Sequence, residues 1–359
     1  QNHELDDAQH TASFAYIEQN KTQSLTYFEF STLSALHLFK QAKLDVVILE
    51  VGLGGRLDAT NIVDNDMAVI TSIDIDHTDF LGATRDQIGF EKAGIFRANK
   101  PVIIGEPNIP QSMLAHAETL GCQLFCRHLD WHFCQQEQSW TWQTTREDEK
   151  VRWNLLADLP LCQIPLANAA TALAAVQKLP FEISLEIVKK SLLEVELTGR
   201  FQTMKPESLT HLAQMVDREV EDLPRMIIDV GHNPHAARYL AEKLTALKAQ
   251  SQGKLIAVCG ILKDKDAVGV LMPLLPLVDE WHCVTLGGYR GQEGKALLLT
   301  LRQVAEQQHL TVQGSSADSV AEGVKSAVEM ANKNDTVLVF GSFHTVGEFL
   351  TFSQPSRSI

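Results

Sequence analysis

Cysteine is scarce in this sequence, with six in 359 residues, at Cys122, Cys126, Cys134, Cys162, Cys259 and Cys283. So sparse a set excludes a disulfide-stapled scaffold and predicts reduced thiols in a cytoplasmic protein. Long apolar runs are missing as well: none reaches the length of a membrane span, and no signal peptide is visible. Positive charge is in deficit, with 31 Lys plus Arg against 45 Asp plus Glu and a net charge of −14. That balance opposes the counterion release that drives binding to nucleic acid and anionic membranes, so neither is an expected partner, and an anionic small molecule needs a locally built site. Proline is limited to 12 residues while 45% are hydrophobic, which argues against long-range disorder. A G-x-S-x-G elbow is absent, so acyl-enzyme chemistry has no support. No methionine precedes Met67, and a start there would discard the glycine-rich segment described below. The sequence, opening on Gln1, therefore reads as a fragment that lacks upstream coding sequence.

What is present is an alternation of apolar runs with helix-period stretches, over a length that favours two domains. In the first half, the helix-like run from Phe30 leads to strand-like DVVILEV at Asp45 and MAVITSI at Met67. A helical stretch near Arg85 to Phe96 and PVIIG at Pro101 complete a βαβ rhythm. From Cys122 to about Asp158, short alternating aromatic segments predict an antiparallel hairpin or meander, and two helices follow. A second series, RMIIDV at Arg225, LIAVCG at Leu255, EWHCVTL at Glu280 and TVLVFG at Thr336, predicts a doubly wound C-terminal domain. The expected domains are 1–198 and 199–359. The polar stretch from Pro206 to Asp222 reads as a surface insertion, and the terminal SQPSRSI run should fray.

Ligands of open α/β sheets collect outside the carboxyl ends of strands, which makes those ends the places to search. DVVILEV delivers Glu50, then Gly52, Gly54, Gly55, Arg56 and Asp58. Glycines admit close backbone approach and the carboxylate offers oxygen to a cation, the lesser alternative being a plain structural turn. A dinucleotide fingerprint fails there, because Leu57 occupies the third glycine position. MAVITSI ends in Ser72, Asp74, Asp76, His77 and Asp79, a second set of ligand-type side chains on the same rim. Lys92 alone reads as a helix lysine. RMIIDV ends at Asp229 and is followed by Gly231, His232, Asn233 and Pro234, in which Asn233 suits an N-cap and Pro234 the first helical position. Such a helix start is an anion site or only a capping device. Cys122, Cys126, His128, His132 and Cys134 lack the paired C-x-x-C spacing of structural zinc sites.

Taken together, LEVGLGGRLDATN from Leu49, SIDIDHTDFLG from Ser72, EKAGIF from Glu91, GRFQ from Gly199, DVGHNPHA from Asp229 and GSFHTV from Gly341 resemble the bacterial dihydrofolate synthase/folylpolyglutamate synthase family, a branch of the Mur ligase superfamily. The resemblance covers essentially the whole chain. It implies a P-loop-type central ligase domain followed by a Rossmann-like C-terminal domain. It also implies an ATP-dependent ligase that phosphorylates a carboxylate of dihydropteroate or of a folate glutamyl tail, which the amine of L-glutamate then attacks. By the same resemblance the cofactor is Mg2+, with Glu50 holding one ion, His77 a second, and a carbamylated Lys92 supporting them. Thr26, Tyr27, Phe28 and Glu29 match the pterin-binding segment together with Leu57, Asp58 and Ala59. Asn168, Arg200, Asp229, Val230, Gly231 and His232 match the ATP contacts, His232 being a catalytic candidate with Lys92. The implied partners are small molecules and the implied state a monomer.

The sequence departs from the family in having no G-K-G-[ST] loop, which in the family lies upstream of the segment where this chain begins. From that departure the isolated chain is expected to be ligase-inactive and poorly stable. The alternatives are a Mur-type peptidoglycan ligase and a folate-binding protein without turnover.

Overall fold

The computed structural model describes residues 5–146 and 152–353, so the expected fraying of the last run lies, beyond Ser353, outside the described residues. The chain divides into two compact units, Gln1–Pro160 with Leu166–Val188, and Leu161–Pro165 with Lys189–Ile359. Among the described residues no helix is long and apolar enough to cross a membrane.

The first unit opens with helices Asp7–Asn20 and Tyr27–Ala42, which meet through the buried hydroxyls of Ser13 and Ser34, 2.7 Å apart. Strands β1 (Ala68–Ile70), β2 (Pro101–Ile104) and β3 (Gln123–Cys126) form a parallel sheet in that order. Its core gathers Ile70, Ile73, Val102 and Ile104 with Ile88 and Met113 from the helices that cover it. Strands β4 (Trp131–Gln135), β5 (Ser139–Thr144) and β6 (Leu155–Pro160) make the expected antiparallel meander, although the start of the stretch assigned to it, β3, instead joins the parallel sheet beside β2. Its alternation places Trp131, Trp140 and Trp142 fully inside, and each indole N–H finds a carbonyl: Phe125, Pro160 and Ala170 respectively. Burying those rings is favourable because no indole donor is stranded in the process.

One expectation for this unit is overturned. DVVILEV forms no strand; the segment is irregular, with Val46 43%, Val47 44% and Ile48 86% exposed. A strand exists through its hydrogen-bonded neighbour, and among the described residues no segment pairs with 45–51. The β-branched residues thus have the propensity but no ladder to join.

The second unit carries β7 (Gln202–Thr203), β8 (Arg225–Asp229), β9 (Leu255–Cys259), β10 (Glu280–Val284), β11 (Gly314–Ala317) and β12 (Thr336–Phe340). The sheet order is β11-β10-β9-β12-β8-β7, all parallel except the short β7 edge. Hydrophobic clusters cover both faces, and so β9 and β12 are buried at every residue and read as unbroken apolar runs. The 206–222 stretch is not a bare surface insertion. Its helix Thr210–Met215 buries Leu212 and Ala213, with Leu209 just before it, in the cluster that includes Phe349 of helix Phe343–Ser353. Three apolar residues at helical spacing were enough to dock a mostly polar segment.

His282 is a polar exception within β10, 3% exposed, its Nδ1 at 3.1 Å from Ser315 Oγ and its Nε2 without a hydrogen-bond partner. Burial holds its pKa below the usual histidine value, against the pull of Glu280. Below a pH of about 6.5 the unfolded chain takes up a proton at this position that the folded chain refuses, so folding stability must fall as pH drops from there towards the depressed folded value. Urea midpoints of wild type and His282→Gln between pH 5 and 8 should diverge in the variant's favour only below about pH 6.5; parallel curves would refute this.

Candidate functional site

In the first unit the structure makes one piece of two separate motifs. The helix Arg85–Ala93 ends at Lys92 and Ala93, and its terminal carbonyls lack helical partners. The glycine segment answers them: Arg56 N donates to Glu91 O at 2.8 Å and Asn61 Nδ2 to Gly94 O at 3.0 Å. The Arg56 guanidinium also pairs with the Glu91 carboxylate at 2.9 Å. Gly55 sits so close that a Cβ there would lie 2.8 Å from Glu91 O, and Gly54 adopts φ +70°. Both glycines are therefore required by packing and turn geometry.

Asp58 organises the same turn. One carboxylate oxygen accepts from Gly52 N (2.9 Å) and Leu53 N (3.0 Å), the other from Thr60 N (2.9 Å) and Thr60 Oγ1 (2.7 Å). Burial works to raise its pKa, but the Thr60 hydroxyl and these amides prevail and hold it below the ordinary value. Thr26 and Glu29 are likewise engaged, as a reciprocal capping box on helix Tyr27–Ala42, and the hydrogen bonds from Thr26 lower the Glu29 pKa. Tyr27 and Leu57 are largely exposed, at 90% and 79%, and Phe28 lays its ring against Gly52, 2.9 Å from where a Cβ would stand.

His77 adopts a left-handed backbone (φ 52°) ahead of the short helix Thr78–Leu81, with Asp76 Oδ2 at 3.9 Å from its Nε2. Lys92 lies beside the same loop: burial pushes its ammonium below the usual lysine range, while the Asp76 carboxylate acts in the other direction. The structure thus brings the glycine segment, the Asp76–His77 loop and Lys92 into one neighbourhood, whereas Glu50 lies in the exposed 45–51 segment and Asn168 is exposed in the first turn of helix Leu166–Val176. Among the described residues no three His, Cys, Asp or Glu side chains gather into a metal-binding group, and this includes the Cys122–Cys134 run. Glu50 and His77, both exposed and not brought together, each suit a separate magnesium ion that takes one or two protein groups and completes its shell with water and phosphate oxygens; they do not fit an all-protein cage.

In the second unit the end of β8 interlocks with the GRFQ turn. Val230 N donates to Gly199 O (2.8 Å), while Asp229 accepts from Phe201 N (2.8 Å) and Gly231 N (2.6 Å). Burial raises the Asp229 pKa against those amides and the charges of Arg200 and His232. Arg200 itself is exposed. Asn233 caps helix Pro234–Gln250 by accepting from Ala236 N at 2.9 Å, Pro234 takes the first turn, and His232 Nδ1 lies 3.0 Å from Val230 O. Arg200, Asp229, Val230, Gly231 and His232 are in this way held together at a carboxyl strand end beside a capped helix N-terminus, the arrangement that favours anions.

Sequence reasoning missed Glu106, Arg85 and Gln202. Glu106 lies two residues beyond the end of β2, so the strand-end rule points to it; Gln202, whose Oε1 accepts from Gly199 N at 2.9 Å, carried no signal beyond its place in GRFQ.

Comparison with known proteins bears on these two units separately and on the chain as a whole. Residues 3–151 match the Mur ligase middle domain and residues 213–343 the Mur ligase glutamate ligase domain. The dihydrofolate synthase/folylpolyglutamate synthase of Haemophilus influenzae is 65% identical over 350 residues, covering 97% of this chain and 77% of that protein. The Escherichia coli K12 protein of the same name is 45% identical over 359 residues, 100% of this chain and 77% of its own length. Among solved structures, E. coli FolC in complex with DHPP and ADP superposes with a TM-score of 0.84 at 46% identity, covering 97% of this chain and 76% of that one. A bifunctional folylpolyglutamate synthase/dihydrofolate synthase with Mn, AMPPNP and L-glutamate bound gives 0.81 at 46% identity, over 97% and 77% of the two chains. Identity of this extent, across both units, shows that the chain belongs to the dihydrofolate synthase/folylpolyglutamate synthase family of the Mur ligases, which are ATP-dependent amide-forming ligases.

Proposed function

We propose that this chain serves the family's reaction, ligation of L-glutamate to dihydropteroate and to the glutamyl tail of folates, with a metal and pterin set and Asn168 in its first unit and the other nucleotide-binding residues in its second. ATP transfers its terminal phosphoryl group to the receiving carboxylate; the glutamate amine attacks the resulting acyl phosphate and inorganic phosphate leaves. Magnesium, when bound, neutralises phosphate charge during the transfer. Glu50 would hold one such ion and His77 a second. Lys92, with its lowered pKa, carries more of the neutral amine that combines with carbon dioxide, and the carbamate so formed supplies an anion at the helix end. Tyr27, Phe28, Leu57 and Ala59 offer apolar surface to the pterin, with Asp58, Thr26 and Glu29 shaping the backbone around it. Arg200 meets the transferring phosphate as a planar multi-donor cation. Asp229 to His232 and Asn168 contact the nucleotide. The ligands are small molecules, the free cysteines suit a cytoplasmic compartment, and the family resemblance implies a monomer.

The observation that carries this reading is that the helix end bearing Lys92 packs on the glycine segment, through Arg56 N to Glu91 O and the close approach of Gly55 to the Lys92 carbonyl, while the Asp76 carboxylate acts on the Lys92 ammonium. Three experiments on the full-length protein test it. Radiolabelled glutamate should be incorporated onto dihydropteroate and tetrahydrofolate in the presence of ATP and Mg2+, and not onto UDP-linked muropeptides; labelling of the muropeptide alone favours the peptidoglycan reading, and nucleotide binding without any labelling favours the non-catalytic one. In 13C-bicarbonate, a carbamate carbonyl resonance is expected for wild type and absent from Lys92→Arg; its persistence in the variant removes Lys92 from this role. Arg200→Ala should lower kcat by about two orders of magnitude, as loss of one preorganised donor does, with an unchanged melting temperature because the side chain is exposed.

A further inference from the structure

Glu106 is 5% exposed at the end of β2, and its buried carboxylate is used entirely within the first unit. Glu106 Oε2 accepts from Ile73 N at 2.9 Å; Oε1 accepts from Arg85 Nη2 at 3.0 Å and from Asn108 N at 2.9 Å. Arg85 in turn donates through Nη1 to Ile73 O and through Nη2 to Asn108 O. Both backbone polar groups of Ile73 are thus gripped by the two members of one ion pair, while the Ile73 side chain, 2% exposed, is fixed in the core. Beyond this clamp the chain runs through the half-buried Asp74 and Asp76, with Ile75 exposed between them, and reaches His77 in its left-handed conformation. Taking a carboxylate out of water costs several kcal/mol, roughly, and an ion pair with one buried member rarely repays it as net stability. An arrangement that gains little stability but fixes one residue in three dimensions is understandable as a positional device.

We infer that Glu106 and Arg85 are positioning residues which, by clamping Ile73, set the loop that carries His77 and so the affinity of the site for its divalent cation. The inference rests on the reading of His77 as a metal ligand. It makes Ile73 the fixed point from which the four-residue path to His77 is measured. Neither Glu106 nor Arg85 needs to touch the ion.

The test is Mn2+ binding to the full-length protein with ATP, followed by the electron paramagnetic resonance signal of free Mn2+, in wild type, His77→Ala, Glu106→Gln, Arg85→Gln and the two double variants with His77→Ala. Glu106→Gln and Arg85→Gln should each weaken Mn2+ binding about tenfold, the lower end of what loss of an outer-shell partner costs a metal site. In the His77→Ala background they should weaken it no further, a non-additivity that a merely structural role does not produce. If Glu106→Gln does not fold, as judged by circular dichroism, the more exposed Arg85 decides the question alone. Weakened binding in His77→Ala with wild-type binding in both single clamp variants overturns the inference and leaves His77 as a ligand. Equal further weakening in the His77→Ala background also overturns it, as general loosening. Unchanged binding in His77→Ala overturns the reading of His77 and the inference with it.

Discussion

The carbonyl groups that helix Arg85–Ala93 cannot satisfy within itself are the constraint on which the first unit's functional face depends. Every α-helix leaves such groups at its end, and a helix end turned inward must find donors for them. Here the donors come from a segment some thirty residues earlier in sequence: the Arg56 amide, the Asn61 amide group and the Asn65 side chain, which reaches Ile95 O at 2.7 Å. To bring its backbone that near, the segment must lack a Cβ at Gly55 and turn left-handed at Gly54. Much of what distinguishes LEVGLGGRLDATN is therefore a consequence of packing against EKAGIF. The lysine held at that helix end inherits its partial burial, and with it its altered proton affinity, from the same contact.

The second unit solves a parallel problem with a carboxylate. The β8 strand ends at Asp229, whose two oxygens take one amide each from the residues on either side of the site, Phe201 and Gly231. A buried carboxylate with two such partners keeps the GRFQ turn and the helix-capping loop at fixed separation, and Arg200 projects from the first while Asn233 caps from the second. An N-cap of this kind contributes about 1 kcal/mol to its helix. Its larger consequence is that the remaining N-terminal amides of Pro234–Gln250 stay aligned at the strand end.

How much of this was legible in the sequence depended on whether the signal was local. The Asn233–Pro234 start, the runs that became β8, β9, β10 and β12, and the Trp-bearing meander all announce themselves through cap chemistry or periodicity within a few residues. Val46, Val47 and Ile48 carry equally strong local signals, yet form no strand, because pairing is decided by a neighbour and not by the segment. Conversely, β11 (GSSA) pairs with β10 despite a composition with no β preference, its position set by the ladder from Trp281↔Gly314 to Val284↔Ala317. Helix Thr210–Met215 hid for a related reason: its polar composition outweighed three apolar residues whose burial only the tertiary fold reveals. Of the site, the motif residues were readable as a set, but Asp58, Thr26 and Glu29 could not be told apart as turn and cap organisers, since a carboxylate looks the same in sequence whether it faces a ligand or its own backbone.

That last ambiguity has a physical resolution. Asp58, Glu106 and Asp229 each have both oxygens engaged by donors from the chain, and in that role they hold the backbone frame in place. Glu50, His77 and Arg200, by contrast, have exposed side chains. A chain of net charge −14 that handles nucleotide and folate anions must concentrate its positive elements where those anions dock, and the Debye length of about 8 Å at physiological salt makes this feasible, because carboxylates more distant than that are largely screened. On the proposed reading, a phosphate near β8 would meet Arg200 and the helix N-terminus, while the buried Asp229 carboxylate is held by the amides of Phe201 and Gly231. The acidic surplus is compatible with anion chemistry because the nearest acids are spent on the backbone.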